Sequence, residues 1–93
     1  MLKSVLWEER DFLISLGIVI SAHRKLNGTS QEALALKAGN SRSQLSGIEA
    51  PGMVRNFTMA AFFQIADALG VEPIVLPDEA KRLMAGGGLQ DGA

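Results

Sequence analysis

The chain has no cysteine and no tyrosine, and only one histidine and one tryptophan. Without thiols there is no disulfide framework and no thiolate metal site, so a reducing, cytoplasmic setting is expected. A lone His23 leaves little from which to build a nucleophile with its base, or a set of metal ligands. An enzyme, a resident cofactor and a metal site are therefore not expected. Long hydrophobic runs are missing too. Apolar residues make up 47% of the chain, yet charged or polar residues break every run well short of the roughly 18 to 20 needed to span a bilayer. No membrane partner is expected. The first residues carry Lys3 and then Glu8, Glu9 and Asp11, without the basic start and cleavable small-residue site of a secretory signal. With 93 residues the chain can bury one modest core.

An excess of positive charge is also absent, since the formal net charge is −1. Its distribution is uneven, however. Residues 17–58 hold five basic and two acidic side chains, a net of +3, whereas residues 59–93 carry a net of −3 and residues 1–16 a net of −1. A basic middle between acidic ends suits a polyanionic partner better than the total suggests.

The hydrophobic spacing predicts an all-α chain of about five helices. Leu13, Leu16, Ile20 and His23 recur at helical intervals and end near "LNG" at residues 26–28. His23 falls on the inner face of this helix, where a packed, hydrogen-bonded side chain is expected. Ile14, Ile18 and Val19 widen the apolar face enough for a second packing surface. A second helix starts at Ser30, an N-cap, buries Leu34, Ala35 and Ala38, and stops at Gly39. Ser41 caps a third, with Ser41 and Gln44 spaced as a capping box and Leu45 and Ile48 facing inward. Thr58 caps a fourth, with Met59, Phe62, Phe63, Ala66 and Leu69 at helical spacing before Gly70. The run "VEPIVLP" reads as a short β-strand bracketed by prolines, and Asp78 to Ala85 as a short last helix. The expected organisation is an N-terminal extension over 1–12, a helix-turn-helix domain over 13–70, a dimerisation strand and short helix over 71–85, and a flexible tail over 86–93.

Two short helices about a glycine turn make a helix-turn-helix, and the spacing supports it. Counting Gln31 as first, the small Ala35 is fifth, Gly39 ninth, and Leu45 and Ile48 fifteenth and eighteenth. The strings "LG..I...R" (16–24), "SQEALALKAG" (30–39), "SRSQLSGIE" (41–49) and "IADALGV" (65–71) resemble the Cro/C1-type (xenobiotic-response-element) repressor family. That resemblance implies a lambda-repressor-like bundle whose third helix enters the major groove. It departs from the family pattern at Thr29, Asn40 and Ala50-Pro51-Gly52. A narrower likeness, over residues 56–77, is to HipB-type antitoxins, and implies a C-terminal strand paired across a dimer and a toxin partner.

The polar start of the third helix has a physical use. A helix N-terminus offers unpaired amides and a partial positive charge, and its first turn can reach base edges. Arg42 can chelate guanine O6 and N7 or contact phosphate alone, and Ser43 and Gln44 can exchange hydrogen bonds with bases, a good bidentate contact being worth about 1 to 3 kcal/mol. Gln44 serves equally as a mere capping partner. Ser46 shares the outer face one turn on, and Gly47 would permit close backbone approach. The resemblance makes Gln31 a phosphate clamp at the start of the second helix. Ser41, Arg55 and Asn56 complete the expected DNA-binding set. It also places Arg24 opposite Glu49, an ion pair tying the first helix to the end of the third. Val71, Ile74, Val75 and Leu76 are the expected dimer interface. Together these features point to a homodimeric regulator of transcription, a repressor reading an inverted repeat in double-stranded DNA. A protein-binding adaptor or inhibitor is the alternative.

Overall fold

The computed structural model describes residues 9–50 and 58–85. Five helices occupy them: α1 (Glu9–Leu26), α2 (Gln31–Ala38), α3 (Arg42–Glu49), α4 (Met59–Leu69) and α5 (Val75–Ala85). Local chemistry sets most of the boundaries. Ser30, Ser41 and Thr58 each have extended backbone, and each side-chain oxygen accepts from the amide three residues on, at 3.0 Å. Such caps satisfy amides that the first helical turn leaves unpaired. At the other end of α2, Gly39 adopts φ +78°, and the Gly39 and Asn40 amides bond back to Leu36 and Ala35 carbonyls at 3.3 and 2.8 Å. A left-handed residue is required there, which is why glycine occupies the turn.

One large residue from each helix forms the centre of the core. Ile20, Leu34, Leu45, Ile65 and Leu76 are all at most 1% exposed. Each contributes about 1.5 to 3 kcal/mol of apolar burial. Around them α5 packs along α1, α2 lies against α3 and α4, and α1 crosses α3. His23 Nε2 meets Glu79 Oε1 at 2.8 Å, so the single histidine joins α1 to α5. Asn27 Nδ2 donates to the Leu69 carbonyl at 3.3 Å and joins the ends of α1 and α4.

The α1–α3 crossing depends on a residue with no side chain. A Cβ built on Gly17 would collide with the Ile48 carbonyl oxygen and lie 3.3 Å from its carbon. Only glycine lets the two backbones approach this closely. Glycine inside a helix ordinarily costs about 1 kcal/mol relative to alanine, and here that cost is repaid by the contact that seats α3.

Two expectations are corrected, and the inner face of the fourth helix is resolved. The strand over Val71 to Leu76 is not formed: residues 71–74 make a turn, and α5 begins at Val75 rather than Asp78. Val75 N–H donates to the Glu72 carbonyl at 2.9 Å and Leu76 N–H to that of Pro73 at 3.3 Å, winding the chain into the helix. Pro77 sits in the first turn, where an amide needs no helical acceptor, so the prolines mark a helix start instead of strand ends. Burial decides the outcome, because Leu76 and Ala80, four residues apart, are both 0% exposed. Leu76 thus belongs to its own protomer's core and cannot face a symmetry mate, Val71 and Val75 are half-buried, and Ile74 is exposed. On α4 the inner face carries Ala61, Ile65, Ala66 and Leu69, with Phe62 packed at its edge, while Met59 and Phe63 are exposed. These two lie four residues apart on the opposite side. Finally, Gly47 is buried and does not reach the outer face of α3. On α1, Val19 joins the core, whereas Ile14 and Ile18 stay half-buried.

Candidate nucleic-acid interface

The start of α3 is a polar, exposed edge of the α2–α3 unit. Ser41, Arg42 and Ser43 are exposed there, and Gln44 and Ser46 are half-buried. The opposite face of α3 carries Leu45 and Ile48, at 0% and 5% exposure. Apolar burial on one side therefore fixes which side chains point outward. Ser41 Oγ accepts from the Gln44 amide at 3.0 Å, and the described hydrogen bonds include only this half of the capping box. The Gln44 carboxamide is thereby left out of the cap. Arg55 and Asn56 lie outside the described residues.

A polar network holds the end of α3. Arg24 Nε donates to Glu49 Oε2 at 2.8 Å and Arg24 Nη2 to Glu49 Oε1 at 3.0 Å, a bidentate pair whose residues are 8% and 7% exposed. Arg24 Nη1 donates to the Thr29 carbonyl at 2.8 Å. All three guanidinium nitrogens are thus engaged within the protein. A planar fork fits a carboxylate in this way and fixes orientation as well as distance. The pair ties the last turn of α1, the loop before α2 and the end of α3 into one unit.

Gln31 joins the same network. Its Nε2 donates to Glu49 Oε1 at 3.0 Å. Lys25, Gln31, Ser46 and Glu49 line one cleft of about 550 Å³ beside α3, together with Ile18 and Ala22 of α1. The structure therefore brings Gln31, Arg24, Glu49 and Ser46 together, with Arg42 and Ser43 along the exposed edge.

Sequence reasoning missed three contributors to this surface. Lys25 is exposed and lines the cleft, one residue past the buried Arg24. Its position in a last turn rich in basic residues was a usable signal. Thr29 contributes its backbone carbonyl, which no residue type announces. Gly17 could have been noticed as a glycine inside a helical pattern, where a close packing contact is the usual reason. Among the described residues no group of three or more His, Cys, Asp or Glu could hold a metal ion. No helix of these is long and apolar enough to cross a membrane.

Known structures share this architecture. The restriction-modification controller protein C.AhdI from Aeromonas hydrophila superposes with a TM-score of 0.65 at 34% identity, over 69% of this chain and 94% of that one. The wild-type controller protein C.Esp1396I gives a TM-score of 0.71 at 29% identity, over 81% of this chain and 95% of that one. No functionally curated protein sequence matches the chain. The profile of the helix-turn-helix family matches residues 20–76, which take in the Arg24–Glu49 clamp, the α2–α3 unit and α4. The chain belongs to the Cro/C1-type helix-turn-helix family of sequence-specific DNA-binding transcriptional regulators.

Proposed function

We propose that this protein acts as a homodimer, reads an inverted repeat with one α3 in each of two major-groove faces, and controls transcription of restriction–modification genes. The observation that carries the reading is the exposed Ser41-Arg42-Ser43 edge beside Gln31, held rigid from behind by Gly17 against Ile48 and by Arg24 on Glu49. Rigid presentation of a few hydrogen-bonding side chains is what base readout requires. Gln31, Ser41, Arg42, Ser43, Gln44 and Ser46 are the proposed contacts, with Arg55 and Asn56 as additional backbone contacts. The link to restriction–modification genes is supported by the two controller proteins. The antitoxin alternative depended on a C-terminal strand, and α5 occupies that segment.

A dimer surface is supported on α4 and the turn after it. Met59, Phe63 and Ile74 are 65%, 47% and 70% exposed. Phe63, Val71 and Pro73 line one groove of about 330 Å³, with the carboxylates of Asp67 and Glu72 at its rim. A contiguous apolar patch rimmed by polar residues marks an interaction site, and a partner copy seated here would cover these side chains. A cytoplasmic location accompanies the reading. Selection of bound fragments from random duplex DNA tests it. Recovery of an inverted repeat with half-sites about one helical turn apart, bound with steep salt dependence, supports it. Equal affinity for selected and scrambled duplexes overturns it.

A further inference from the structure

Glu49 holds more than its ion pair. Oε1 of this buried carboxylate accepts from Arg24 Nη2 and from Gln31 Nε2, both at 3.0 Å, while Oε2 takes Arg24 Nε at 2.8 Å. We propose that Glu49 is a positioning residue for DNA binding, acting through Gln31. The carboxylate fixes the Gln31 carboxamide before DNA arrives, so that its second N–H is presented to the phosphate oxygens of the duplex backbone. The inference rests on the DNA-binding reading of the α2–α3 unit.

Hydrogen-bond chemistry leaves one orientation for the amide. An ionised carboxylate only accepts, so the amide nitrogen faces Glu49 and the carbonyl is turned away. Of the two N–H bonds on Nε2, one is used on Glu49, leaving one for a phosphate oxygen. A free glutamine side chain would have to surrender its rotamer freedom on binding, whereas a held one has already done so. Arg24 neutralises the carboxylate through two bonds, so an approaching phosphate does not meet a bare negative charge. The same guanidinium grips the Thr29 carbonyl at 2.8 Å, two residues ahead of Gln31. One ion pair thus fixes both the backbone and the side chain at the start of α2. Lys25 lines the same cleft as Gln31 and brings a cation to it.

The test uses the full chain, with Glu49→Gln, Gln31→Met and the double variant. In the free wild-type protein, the ¹⁵N–¹H side-chain signals of Gln31 should be displaced from free-glutamine positions and show restricted motion, and Glu49→Gln should return them. Affinity for a selected duplex is then measured at a temperature where thermal melts show every variant folded. Gln31→Met should weaken binding by about tenfold for each half-site, about a hundredfold for the dimer, the scale of one hydrogen bond to a charged group lost per protomer. Glu49→Gln should weaken it comparably, yet add nothing in the Gln31→Met background. Losses that multiply in the double variant overturn the positioning role, because Glu49 would then act on DNA binding through the fold alone. Wild-type Gln31 signals at free-glutamine positions overturn it as well, even if Glu49→Gln fails to fold. Loss of all duplex binding by the wild type would overturn the DNA reading itself, an outcome distinct from either.

Discussion

Replacing Gly17 with alanine should destabilise this protein, against the ordinary preference of helices. In an exposed helix interior the change is worth about 1 kcal/mol in alanine's favour. At Gly17 the new methyl would fall on the Ile48 carbonyl oxygen, 3.3 Å from the Ile48 carbonyl carbon and 3.5 Å from Glu49 Cα. These are backbone atoms of α3, so no change of rotamer relieves the collision. Overpacking costs about 1 to 3 kcal/mol, and a clash between two helix backbones belongs at the upper end. After the propensity gain, the net loss is about 2 kcal/mol, a fall in the unfolding midpoint of about 8 to 16 °C for a domain of this size. Thermal unfolding followed by circular dichroism measures it. Because relief requires α3 to move away from α1, duplex affinity should also fall at temperatures where the variant is folded. An unchanged or raised midpoint would refute the argument and return Gly17 to the status of an ordinary helical glycine.

Three further outcomes follow from the geometry. Glu49→Ala should cost about 3 to 5 kcal/mol, because it leaves Arg24 charged and buried without its partner, whereas Arg24→Met with Glu49→Leu should recover much of that loss in chemical denaturation. Additive losses in the double variant would contradict the coupling. Ser41→Ala should remove the bond to the Gln44 amide and lower stability by about 1 kcal/mol in the same assay. Phe63→Asp should shift sedimentation toward monomer with little change in the helical signal, since Phe63 is 47% exposed; an unchanged dimer would place the interface elsewhere.

The elements whose limits are set by neighbouring residues were legible in the sequence. Ser30, Ser41 and Thr58 cap helices through bonds that span only three residues, and Gly39 closes α2 through its own backbone, so residue type and spacing suffice. Arg24 and Glu49 are 25 positions apart, and it was the family resemblance, not the spacing, that set them opposite each other. The link from Gln31 to Glu49 was invisible because both residues already had a reading, one as a DNA clamp and one as an ion-pair partner. The start of α5 was misread because Pro73, Pro77 and the β-branched Ile74 and Val75 fit a short strand as well as a helix start. The choice was made by burial of Leu76 and Ala80 against α1, a long-range term that no local window contains. Which side of α4 Met59 and Phe63 take was not legible for a related reason. Five apolar residues at mixed spacings of one, three and four define two overlapping helical faces, and the contacts with the core select one.

The central claim is that the outward start of α3 reads base sequence while the rest of the domain holds it in place. The most direct measurement is the affinity of wild type and Arg42→Ala for a panel of duplexes in which each base pair of the selected half-site is changed in turn. Arg42 is exposed at the first position of α3. The account predicts that wild type loses about 1 to 3 kcal/mol at one particular base pair, and that Arg42→Ala removes the penalty at that position alone, leaving the rest of the profile in place. An Arg42→Ala profile lowered by the same factor for every duplex would contradict it, because Arg42 would then be a backbone contact that carries no sequence information.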